Sequence, residues 1–174
     1  MLIKFLSENR ERVVNRWFEL TTDAYPADTA KFYQRETDRF ANPVGSTIRS
    51  ETARLYDALI SGADLDDMRG PLDGIIRIRA VQELSPSSAL GFMFLLKKAI
   101  REELEKAKAG PEFFEGLLEF EGGIDRAALL AFEIYMECRE QVFRIRSNEL
   151  RARSARLIDR LNLADENHEQ ECDL

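Results

Sequence analysis

Between Arg79 and Leu104 the apolar residues Ala89, Phe92, Met93, Leu96, Ala99 and Ile100 recur at spacings of three and four. That spacing places them on one face of a helix. Ser85-Pro86 is a start signal. The serine caps free N–H groups of the first turn, and proline costs nothing at a position with no N–H to bond. Leu90, Phe94 and Leu95 widen the face until the first half is apolar nearly all round, the pattern of a helix buried among other helices. Charge returns at Lys97, and the apolar run falls short of the ~20 residues that span a bilayer. This helix is the expected centre of the core.

The other segments are read around it. Leu2 to about Tyr25 predicts a first helix with Phe5, Leu6, Val13, Val14, Trp17, Phe18 and Leu20 as a broken stripe, ended by Tyr25-Pro26. Trp17 could stack on a ligand, but a single Trp on an amphipathic helix is read as core. A second helix is expected from about Asp28 to Phe40, with Phe32 and Phe40 as anchors. A third runs Pro43 to Ser61, capped by Asn42 and closed by Gly62. Leu65 to Arg69 predicts one or two turns, Gly70-Pro71 an interruption, and Leu72 to Leu84 another helix. Ile75 to Arg79 also alternates like a strand, yet no partner strand is in view, so the helix is preferred.

After Gly110-Pro111, Glu112 to Phe120 predicts a short aromatic-rich helix ending in a turn at Gly122-Gly123. Ile124 to about Leu163 holds no Gly or Pro, which allows one helix of up to ~40 residues, roughly 60 Å. Its first half, with Ala128, Ala131, Ile134, Tyr135, Cys138, Val142 and Ile145, should pack on the core. The remainder should project or pair with another chain. Leu129, Met136, Phe143, Leu150 and Leu157 recur every seven residues, and Ser154 and Leu161 add a partial second stripe. A coiled coil needs two apolar positions per heptad. The expectation is therefore a homodimer of packed helix pairs with a short zipper of Leu150, Leu157 and Leu161 at its end. The reading is one all-α domain of about six to eight helices over 1–163, followed by an acidic, apolar-poor tail over 164–174 expected to be disordered.

Composition narrows the chemistry. A net charge of −7 disfavours nucleic acid as a partner. No span of membrane length and no charged-then-apolar leader points to a cytoplasmic protein without membrane insertion. Cys138 and Cys172 are too few for a disulfide framework. His168, the only histidine, lies in the tail, so no haem, zinc site or histidine triad is expected, and no cofactor at all. Cys138 is either a thiolate sensor or a small buried hydrophobe, and its helical position favours the second. Glu102, Glu103 and Glu105, with Asp64, Asp66 and Asp67, read as solvated charge runs rather than acid/base pairs. No enzymatic constellation is found.

Two arginine sets stand out. Arg77 and Arg79 sit amid apolar residues with Gln82 a turn on; an arginine beside a core face needs a carboxylate of its own domain or an anionic ligand. Internal pairing is the plainer of the two. The second set is Arg139, Arg144, Arg146, Arg151, Arg153, Arg156 and Arg160, a basic run in an acidic protein. It is either a solvated face or a docking arm for an acidic surface, including the acidic parts of its own dimer mate; Arg139, Phe143, Arg146, Leu150, Arg153, Leu157 and Leu161 are the residues expected on that dimer or partner helix.

Three blocks, RFANPVG (Arg39 to Gly45), RIRAVQELSPSSALGFMFLLKKAIREEL (Arg77 to Leu104) and YMECREQVFRIRSNELR (Tyr135 to Arg151), resemble the RsbRD N-terminal family. These are the sensory N-terminal domains of RsbT co-antagonist proteins, and the resemblance covers roughly residues 1 to 160. It implies a bacterial, cytoplasmic, all-helical regulatory domain with no assigned catalytic residues. Related stressosome proteins carry N-terminal domains of globin-like fold without haem, so the resemblance extends the same expectation here. Members of the family usually continue into an output domain, which does not follow within these 174 residues. The expected function is a non-enzymatic signal-input module that binds a protein or small ligand and relays through its last helix. The alternative is an adaptor or assembly subunit of a larger cytoplasmic or membrane-associated complex.

Overall fold

The computed structural model describes residues 1–82 and 84–172, with side chains described as far as Ile158. Among the described residues there are seven α-helices and no strand. They are α1 (Leu2–Glu8), α2 (Arg10–Thr22), α3 (Ala27–Arg35), α4 (Pro43–Ser61), α5 (Leu65–Val81), α6 (Pro86–Lys106) and, after a 3-10 turn at Pro111–Phe113, α7 (Phe114–Cys172). The Leu161 side chain and the 164–174 tail, with His168 and Cys172, lie outside what is described at side-chain level. The chain divides into two units, Met1–Cys138 and Arg139–Leu174, and the division falls inside α7.

In the first unit α6 is the central element. Ala89, Phe92, Met93, Leu96, Ala99 and Ile100 are all buried. The Ser85 hydroxyl accepts from Ser88 N at 3.3 Å, capping the helix as its spacing predicts. Helix α2 lies against α6, and Trp17 fixes the pair: its ring stacks on Phe92 with centroids 6.0 Å apart, and its Nε1 donates to the Phe92 carbonyl at 2.6 Å. A buried indole N–H thereby finds the partner it requires. Helix α4 packs on α5, and the Tyr56 hydroxyl donates to the Leu6 carbonyl at 3.1 Å, tying α4 to α1. Asn42 caps α4 through Gly45 N at 2.9 Å, while its Nδ2 donates to the Glu36 and Tyr33 carbonyls. A Cβ on Gly45 would collide with the Asn42 side chain, so this cap needs glycine at its third residue. Gly62 closes α4 at φ 67°, the left-handed conformation glycine adopts without penalty.

Four predicted boundaries move, each for a local reason. The first helix breaks at Asn9, whose Nδ2 donates to the Phe5 carbonyl at 3.0 Å, a side-chain bond that competes with the helix ladder. The second helix stops at Arg35 rather than Phe40. The Glu36 carboxylate accepts from Asp38 N and the Asp38 carboxylate from Phe40 N, so these two amides are satisfied without helix, and Phe32 and Phe40 are both exposed rather than anchors. Gly70-Pro71 does not interrupt α5. Pro71 and its neighbours Met68, Leu72 and Ile75 are buried, and Gly70, lacking a Cβ, escapes most of the restriction that proline places on its predecessor. Gly122-Gly123 is helix, not turn. The flanking Phe120, Glu121 and Ile124 are buried, and that packing outweighs about 1 kcal/mol of glycine penalty at each position.

Candidate functional site

Arg79 and Arg77 share one helix and end in opposite environments. Arg79 is 1% exposed. Its Nη1 donates to the Ser88 and Ala89 carbonyls at 3.0 and 3.3 Å, and its Nη2 to the Thr21 carbonyl at 3.3 Å. The guanidinium also lies over the Phe92 and Tyr25 rings, 5.0 and 5.6 Å from their centroids. Carboxylate or anion was the expected partner; the partners present are backbone oxygens and aromatic faces. Thr21 is in the last turn of α2, where carbonyls lack intrahelical donors and the helix end is electronegative, so it suits a buried cation. Burial pushes the Arg79 pKa below the usual arginine value. Gln82 accepts from the Tyr25 hydroxyl at 3.0 Å, and burial raises that phenol's pKa. Arg79 and Gln82 are thus joined through Tyr25. Arg77 is apart from them, exposed and paired with Asp73 at 2.6 Å.

Carboxylates expected on the surface do structural work in the first unit. Arg16 Nε donates to Glu102 at 2.6 Å, joining α2 to α6 and holding the Glu102 carboxyl below the usual range. Glu103 is buried beside Lys106, and buried Glu121 receives both arms of Arg101 at 2.8 Å, joining α6 to α7. The charge run at 102 and 103 reads as solvated surface and position 121 is not singled out at all, because nothing local in the sequence supplies the partner across the helix pair. Cys138 is buried, and burial pushes its thiol pKa up, the opposite of what a thiolate nucleophile needs. Among the described residues no cluster of His, Cys, Asp and Glu is placed to hold a metal ion.

Two further features are open to solvent. A cleft of about 580 Å³ opens between the start of α1, the α4–α5 turn and the first turns of α7. Leu2, Leu59, Met68 and Phe120 line it, with Asp64 and Arg126 among its polar groups. The other surface is the outer side of α7. Within the first unit its inner side, Ile124, Ala127, Ala131, Ile134 and Tyr135, is core, while Leu129, Phe132 and Met136 face outward, Leu129 at 68% exposure. In the second unit Phe143, Leu150 and Leu157 are exposed at 72, 63 and 60%. Ile145, expected on the core side, is exposed as well, because no core face continues in that unit. Arg146 and Arg153 are exposed on the same helix, and Arg139 is half-buried.

The family model for the RsbT co-antagonist protein rsbRD N-terminal domain matches residues 11–150 of the chain. No curated protein and no solved structure matches. The family points to a stressosome-related signalling input domain. No helix among the described residues is long and apolar enough to cross a membrane.

Proposed function

Because the chain belongs to the RsbT co-antagonist protein rsbRD N-terminal domain family, we propose that it is a non-enzymatic signal-input module that acts by binding and relays through α7. The observation that carries this reading is the outward row Leu129, Phe132 and Met136 on a helix whose opposite side is core. Contiguous exposed apolar side chains on a small domain mark an interaction surface. A second copy of the chain is the partner proposed for this row, since Leu129, Phe132 and Met136 fall at the three- and four-residue spacings by which helices interdigitate. A homodimer joined there holds two α7 helices together, and a signal that alters the packing of either domain changes the geometry of both. The cleft lined by Leu59, Met68 and Phe120 is where a small ligand would enter such an equilibrium.

Sedimentation velocity tests the dimer. The unaltered chain should sediment as a dimer at tens of micromolar, and Leu129→Glu with Met136→Glu should give a monomer whose thermal melt is preserved. A monomer in the unaltered chain would refute the proposed interface.

A further inference from the structure

We infer that the α7 segment 139–158 is a docking helix for an acidic amphipathic helix of another protein, and not for its own copy. The inference builds on the signalling reading above and names the kind of partner that the relay would meet.

Phe143, Leu150 and Leu157 form an exposed apolar row at seven-residue spacing, so one line of this helix lacks cover within its own unit. Such a row alone could take many partners. Charge decides between them. One residue past Phe143 and Leu150 stand Arg144 and Arg151; three residues past them stand Arg146 and Arg153. On a helix these offsets lie on opposite sides of the row, so arginine borders it on both flanks. The segment 139–158 carries six arginines against Glu140 and Glu149, a net charge of +4 within a chain of −7.

Self-pairing fails by register. With the apolar row at the d positions of a heptad, Arg139 and Arg146 occupy g, and Arg144 and Arg151 occupy e. In a parallel pair, g of one helix faces e of the next heptad on the other. That sets Arg139 against Arg144 and Arg146 against Arg151 of the second copy. An antiparallel pair sets g against g and e against e, again arginine on arginine. With the row at the a positions, Arg139, Arg146 and Arg153 take d and enter the seam itself. Like charges facing each other across an interface select against that partner, and carboxylates in the same places select for theirs. The complementary surface is a helix with an apolar seven-residue row bordered by Glu or Asp. Guanidinium forks suit that task, since they bind carboxylates through two parallel hydrogen bonds.

The test uses the full chain and two labelled synthetic helical peptides of about four heptads, the scale of a short coiled coil. Both have leucine in the seam; one has glutamate and the other lysine in the flanking rows. Fluorescence anisotropy should show the glutamate peptide bound at least about tenfold more tightly, a difference that shrinks at high salt. Arg144→Glu with Arg151→Glu and Arg153→Glu should reverse the preference, and Leu150→Ser should abolish binding of either peptide. The Leu129→Glu, Met136→Glu variant should still prefer the glutamate peptide, so failure of the homodimer and failure of this inference are separable. Equal affinity for the two peptides would overturn it. So would tighter binding to phosphatidylglycerol vesicles than to the glutamate peptide, which would make the basic helix a lipid-facing one.

Discussion

Helix α7 is two different objects on either side of residue 138. Over 124–138 it presents small and apolar side chains inward, Ala127, Ala128, Ala131, Ile134 and Cys138, and is part of a core that also holds Trp17, Phe92 and Leu96. Over 139–158 it has no buried residue, although both stretches are free of Gly and Pro and rich in good helix formers. Helix propensity is thus similar in the two, and burial is not. An isolated helix of a few turns is marginal in water, and tertiary packing supplies most of its stability. The first stretch is therefore fixed by its own domain, while the second has no buried residue to fix it within its own unit.

The largest effect that tests this contrast is a pair of leucine truncations. Leu96→Ala should cost about 2–5 kcal/mol in denaturant melts. Leu150→Ala, at an exposed site, should stay within about 0.5 kcal/mol in the unpartnered chain. Comparable losses at the two sites would erase the distinction between them.

A smaller effect is expected at Arg79. Arg79→Lys keeps the charge but cannot reach the Thr21, Ser88 and Ala89 carbonyls with one forked group, so it should cost about 1.5–3 kcal/mol, the scale of hydrogen bonds to a charged donor. Arg77→Lys, two residues away on the solvent side, should change stability by less than about 0.5 kcal/mol. Equal costs at 77 and 79 would contradict the placement of Arg79 in the core.

The smallest effect is a pH dependence. Arg16 depresses the pKa of Glu102 in the folded chain, so the pair's contribution is present above the unfolded carboxylate value of about 4.3 and is lost as pH falls through the lower folded value. Glu102→Gln should therefore lower stability at neutral pH by no more than about 1 kcal/mol, and the difference from the unaltered chain should vanish in acid. A difference that persists at acid pH would assign the effect to packing instead of charge.

How far the sequence reaches follows from the same physics. Start and stop chemistry was legible where one residue type is required: Ser85-Pro86, Asn42-Pro43 and Gly62 sit where their caps predict. The inward faces of α4, α6 and early α7 were legible from period alone. Pro71, Gly122 and Gly123 misled because their local preference is outweighed by burial that only the assembled domain supplies. At the candidate sites, the spacing singled out Arg79 but not its carbonyl partners, since the free carbonyl of Thr21 exists only once α2 ends there. The pairs Arg16–Glu102 and Arg101–Glu121 join residues far apart in the chain, and no local pattern encodes them. The cleft beside Met68 and Phe120 is likewise formed by segments distant in sequence.

Hydrogen exchange along α7 of the full chain tests the central contrast most directly. In the Leu129→Glu, Met136→Glu variant, designed to remove the proposed dimer, amides over 124–138 should exchange only through opening of the whole domain, and those over 145–158 orders of magnitude faster. Adding the glutamate-flanked peptide should slow the second set and leave the first unchanged. Uniformly slow exchange from 124 through 158 in the monomer would contradict the account, because the second stretch would then hold its helix without a partner.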